Sequence, residues 1–137
     1  MIGEMLMKVK LFNADDYSYS DRVFKMMFYQ ISHSEMIIRS QKRDGVNESN
    51  IDIYLGDVIY QELPCRMDGL SFRKPTPEDI AYLHRKTNLS VSDDNVIVLI
   101  SGNKVYYAIA SVIDIAENKM DRMELPLHIF LHESNCD

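Results

Sequence analysis

The sequence predicts an α+β fold, an antiparallel sheet of five or six strands with two helices packed on one face. Three observations lead there. Several short runs place apolar residues at every second position. Ser101-Gly102-Asn103-Lys104 is a tight-turn signal between two β-rich runs. Thr76-Pro77-Glu78-Asp79 opens a helix with a full set of start signals.

Taken in order, Val9 and Leu11 alternate with Lys8 and Lys10, which marks a first strand over 7–12. Residues 13–20 are polar and turn-like. Ser20 can then cap a helix over 21–34 in which Val23, Phe24, Met27, Phe28 and Ile31 share one face. Residues 35–40 either extend that helix or begin a strand, and the polar run to Gly45 ends them, with a loop over 46–50. Ile51, Ile53 and Leu55 alternate ahead of Gly56-Asp57, so 51–63 reads as a hairpin turning at that dipeptide. Residues 64–75 form a loop with a short strand at 70–72.

The second helix, over 77–86, is the clearest element. Thr76 caps it, Pro77 fits its first position, and Asp79 completes a capping box. Glu78 and Asp79 sit at the positive end of the helix dipole, and His84, Arg85 and Lys86 at the negative end, so the helix stops near Asn88. The apolar run 96–100 suits a central strand covered on both faces, and it pairs with 105–115 across the Ser101–Lys104 turn. A polar stretch over 116–122 precedes a last alternating strand over 123–131.

With 137 residues, 46% of them hydrophobic and 26% charged, the chain has the size and composition of one folded domain, 1–137. Residues 1–6 read as a disordered start-site extension. There is no basic segment followed by the apolar core of a signal peptide, and no apolar stretch near the ~18 residues of a membrane span. The expected location is the cytoplasm. A net charge of -6 argues against nucleic acid and membrane as partners, and for a protein partner, one with a basic surface. Cys65 and Cys136 lie far apart and in no CxxC pair, so neither a disulfide nor a zinc ribbon is expected.

Few residues carry recognisable chemistry. His128 and His132 would share a metal ion on a helix, but a strand separates them by about 13 Å. No metal and no cofactor is therefore expected. The face of His128, Phe130 and His132 mixes an aromatic with polar groups in the manner of an interface, and an edge strand there invites a homodimer. Tyr54 and Tyr106 are expected opposite the apolar faces of their strands, as contact residues. Arg66 and Arg73, with the run 39–43 and Lys74, offer an anion or phosphate site. Isolated glycines exclude a Walker loop or a GxGxxG cradle, and there is no GxSxG elbow. Cys65, flanked by Pro64 and Arg66, has no adjacent base.

The segment Arg73-Lys74-Pro75-Thr76-Pro77-Glu78-Asp79-Ile80, followed by a strand hairpin, resembles the opening of a GNAT-type acetyltransferase. About sixty residues follow it, without the Gly-rich loop that holds the acetyl-CoA pyrophosphate in that family, so acetyl transfer is not expected. The expected function is that of a noncatalytic binding protein that neutralises another macromolecule, such as an immunity protein or a phage-encoded inhibitor of a host system. Two other classes stand beside it. One is a small ligand- or nucleotide-binding protein or small enzyme with a pocket near 64–75; the other is a phage structural or assembly subunit.

Overall fold

The computed structural model describes residues 7–11 and 17–121. Along them run β1 (Met7–Leu11), β2 (Ser18–Gln30), β3 (Glu35–Ser40), β4 (Asn50–Gln61), β5 (Arg66–Arg73), helix α1 (Pro77–Thr87), β6 (Val96–Ser101) and β7 (Lys104–Asn118). Short 3-10 turns lie at 31–33 and 93–95. All pairings are antiparallel, in the order β1-β7-β4-β3-β2-β5-β6. β6 also pairs with β7, so the six strands β2 to β7 close into a ring.

Closure depends on the length of β7. Its first residues pair with β6, from Ser101↔Lys104 to Val96↔Ile109. Its last five pair with β1, from Leu11↔Asp114 to Met7↔Asn118. β4 follows the opposite edge of β7 from Asn50↔Asn118 to Gln61↔Ala108. A ring leaves its member strands few unpaired backbone groups, which is how barrels remove sheet edges.

Alternation along each strand fills the ring. Phe24, Met36, Ile38, Ile53, Leu55, Met67, Leu70, Phe72, Ile97 and Leu99 form one buried cluster, which is the barrel interior. Among the described residues, the outer wall is covered in two places. Leu83 of α1 packs with Val96, Val98 and Ile109, with Ile80, Tyr60, Tyr82 and Tyr107 around them. Ile37, Tyr54, Ala116 and Met120 form the other covered patch.

Beside that second patch lies a buried polar network. Arg39 and Asp52 are directly paired across β3 and β4, and both side chains are fully buried. The guanidinium grips the carboxylate with two bonds, Nε to Oδ1 at 2.6 Å and Nη2 to Oδ2 at 2.8 Å. Asn118 Nδ2 donates to the same Oδ2 at 2.8 Å, and Asn50 Nδ2 donates to Asn118 Oδ1 at 2.9 Å. Burying such charges is tolerable because nearly every donor and acceptor is met.

The hairpin of β6 and β7 and the helix α1 lie where the sequence places them. Asn88 takes the left-handed conformation (φ 62°) that ends the helix. The expected antiparallel sheet is present, with one α-helix among the described residues rather than two. The segment read as a helix over 21–34 is β2. Its register shifts between Tyr19 and Val23 and again between Met26 and Phe28. Tyr19, Phe24 and Met26 pack toward the interior and Phe28 toward the outer patch, so apolar residues fall at intervals that imitate a helical stripe.

The hairpin expected at Gly56-Asp57 is absent, and β4 runs straight through the dipeptide. A two-residue type I′ turn needs positive φ at both positions, and only Asp57 (φ 55°) has it. Asp57 instead marks an irregularity on the way to the register shift between Val58 and Tyr60. The loop expected over 64–75 is mostly β5. The polar stretch expected from 116 is still strand as far as Asn118. The last strand expected over 123–131 lies outside the described residues.

Candidate functional site

The sequence-predicted contact residues do not converge. His128, Phe130 and His132 lie outside the described residues. Tyr54 points to the outer wall, opposite Ile53 and Leu55, but it is buried there and its hydroxyl donates to Glu35 Oε2 at 2.8 Å. Burial, then that bond, push the phenol's pKa up. Tyr106, which the pattern places on the outside, pairs with Leu99 and packs against the barrel interior instead.

Arg73 is committed to helix α1. Its Nη1 donates to Asp79 Oδ2 at 2.5 Å and its Nη2 to Oδ1 at 3.1 Å. The same carboxylate accepts from Thr76 N at 2.7 Å and from the Tyr107 hydroxyl at 2.6 Å, while Thr76 Oγ1 accepts from Asp79 N at 3.2 Å. Hydrogen bonding from Arg73 is the largest influence holding the Asp79 carboxyl well below the usual range. Tyr107 is pushed up to about 12, by burial first and then by its bond to Asp79. Alongside, Glu62 accepts from Tyr60 and Tyr82, and the hydrogen bond to Glu62 is the main reason that Tyr60 is pushed up to about 12. These tyrosines join helix to barrel and are spent on internal partners.

Among the described residues, Arg66 is the predicted residue that stands at an open site. It borders a groove of about 230 Å³ on the outer wall, lined by Asp21, Arg22, Val23 and Lys25 of β2, Ser40 and Gln41 at the end of β3, and Arg43 and Asn47 of the following loop. Among the described residues, four cationic side chains line it against one carboxylate. Strand register explains the concentration. Lys25 is the direct partner of Arg66 on one side and of Arg39 on the other, so three cations stand abreast on neighbouring strands.

Each of these cations has a different fate. Arg39 is neutralised by Asp52. Arg66 Nε meets Asp68 Oδ1 at 3.0 Å in an exposed pair. Arg22 Nη1 donates to the backbone carbonyl of Ser49 at 3.1 Å and to Ser40 Oγ at 3.3 Å, and burial lowers its pKa. Among the described residues, Lys25 and Arg43 make no side-chain hydrogen bond or ion pair. Of the rest of the predicted anion set, Lys42 Nζ donates to Lys119 O at 2.8 Å and Lys74 is exposed beside Arg73. Helical periodicity over 21–34 hides Arg22 and Lys25 as site residues, because a helix gives them no cross-strand neighbours, whereas β2 lies between β3 and β5.

A second concavity, of about 300 Å³, is lined by Ser18, Ser20, Asp68, Gly69, Leu70, Ser71, Ile100 and Gly102. Among the described residues it brings no cation and no paired acids together. Among the described residues no three His, Cys, Asp or Glu side chains are placed to hold a metal ion, and no helix is long and apolar enough to cross a membrane. Compared with known proteins, the chain matches no family model, no curated protein and no solved structure.

Proposed function

We propose that this chain is a noncatalytic binding protein that neutralises another macromolecule, as an immunity protein or a phage-encoded inhibitor of a host system does, in the cytoplasm. Side chains fill the ring, so recognition falls to the outer wall and the ends of the barrel. The acid, base and phenol groups around α1 are bound to one another rather than aimed into a cleft.

One observation carries the reading. Tyr29, Ile31, Ile59 and Val112 are exposed, Ile31 to 80% and Ile59 to 57%. Register brings them to one end of neighbouring strands: Gly56 is opposite Val112, Met36 is opposite both Leu55 and Tyr29, and Val58 N donates to Ser34 O just beyond. An exposed apolar rim of this kind is the composition of a protein contact. The net charge of -6 favours a partner with a basic surface. Because β2 to β7 close on themselves, docking by side chains fits better than strand addition, and homodimerisation through an edge strand is the weaker version.

Affinity capture of the tagged protein from its native cell, with mass spectrometry and sizing of the eluate, tests this. The expected result is one stoichiometric protein partner that is lost with Ile59→Asp and Val112→Asp. Recovery of the protein alone, or of a partner indifferent to both substitutions, would sink the reading.

A further inference from the structure

We propose that the groove between β2, the start of β5 and the loop after β3 is a binding site for a phosphate group on a small ligand. The inference goes beyond the macromolecular function above and stands or falls without it. Its first support is electrostatic. A chain of net charge -6 has gathered Arg22, Lys25, Arg43 and Arg66 around one concavity. Like charges on directly paired strand residues repel across roughly 5 Å, so setting Lys25 beside Arg66 costs stability that the exposed Arg66–Asp68 pair offsets only in part, and a bound anion would offset the rest.

The second support is availability. Lys25 and Arg43 are exposed and unpaired among the described residues, and Arg66 is held by a single exposed carboxylate that a stronger anion can displace. Arg22 differs, since its bonds to Ser40 and to the Ser49 carbonyl fix the guanidinium in the groove wall. One cation is therefore pre-positioned, Lys25 and Arg43 are unpaired, and Arg66 can exchange Asp68 for a ligand. Ser40, Gln41 and Asn47 add neutral polar groups to the lining.

Size and charge select the class of ligand. A volume of about 230 Å³ lies below the usual ~300–1,000 Å³ of pockets that enclose a whole organic ligand, so the groove suits one charged group rather than a nucleotide. A phosphate monoester or pyrophosphate brings two or more negative charges and several acceptor oxygens. Those match several cations, including guanidinium forks, better than the single charge of a carboxylate.

The test is an amide NMR titration of the full chain at fixed ionic strength with inorganic phosphate, pyrophosphate, succinate and a short single-stranded oligonucleotide. Pyrophosphate should give saturable shifts confined to residues 21–25, 40–47 and 66. The double variant Lys25→Gln, Arg43→Gln should weaken its affinity at least tenfold while keeping the folded spectrum, because neither side chain bonds to the fold. Three results would overturn the proposal: no localised shift at millimolar pyrophosphate, equal response to succinate, or tighter binding of the oligonucleotide in the same groove.

Discussion

Asp79 gathers five hydrogen bonds from Arg73, Thr76 and Tyr107 on one nearly buried carboxylate. Hydrogen bonding from Arg73 chiefly depresses its pKa in the folded state, below the ordinary ~3.9 of the unfolded chain. The unfolded state therefore binds the proton more readily. The resulting stability is complete above about pH 4 and fades as pH falls toward the folded-state value. Asp79→Asn should cost about 1–3 kcal/mol at pH 7, with the gap to the parent narrowing at pH 3, as read from urea unfolding midpoints. An equal gap at both pH values would show that the carboxylate's charge is not the source. The capping half of this site was legible in Thr76-Pro77-Glu78-Asp79. The Tyr107 half was not, because it comes from a strand 28 residues away.

At the scale of elements, β4 shows what pattern alone misses. Gly56 looked like half of a turn; it is a strand residue with neighbours where a side chain would go. A Cβ there would lie 3.0 Å from Tyr54 Oη, 3.1 Å from Tyr54 Cε2 and 3.2 Å from Val112 Cβ. The ring cannot easily swing aside, since Glu35 holds its hydroxyl. Gly56→Ala should therefore destabilise by about 1–3 kcal/mol, measured by thermal unfolding. A melting temperature equal to the parent's would mean that Tyr54 yields more freely than its buried hydrogen bond implies. β2 teaches the same lesson through its register shifts. Alternation reports a strand only while each residue keeps its face, and two irregularities in 13 residues erase the signal. The β6–β7 hairpin was readable because it has a local turn and an unbroken apolar run.

For the molecule as a whole, the ring is closed by contacts between distant parts of the chain. Asn50 meets Asn118 across 68 residues, and β2 pairs with β5 while β4 pairs with β7. Non-local pairing delays folding because loop entropy is lost before contacts reward it. Refolding should fall on the millisecond-to-second scale of all-β domains. Amide exchange should be slowest in β4 and β7, whose pairing with each other, from Asn50↔Asn118 to Gln61↔Ala108, is the longest in the ring. Microsecond refolding in stopped-flow or temperature-jump measurements would contradict this account. The antiparallel sheet and its approximate strand number were legible from composition and periodicity. Closure was not, since it depends on which edges meet, and local pattern carries no record of that.

The bond between Arg39 and Asp52 also limits how the sequence can change over time. Removing either partner alone strands a desolvated charge, at about 3–5 kcal/mol, a large part of a small domain's stability. Replacing both together with apolar residues of similar volume is often neutral. Single steps lead into a valley between two viable sequences, so the two positions are expected to be inherited as a unit and to switch, if they switch at all, in one lineage together.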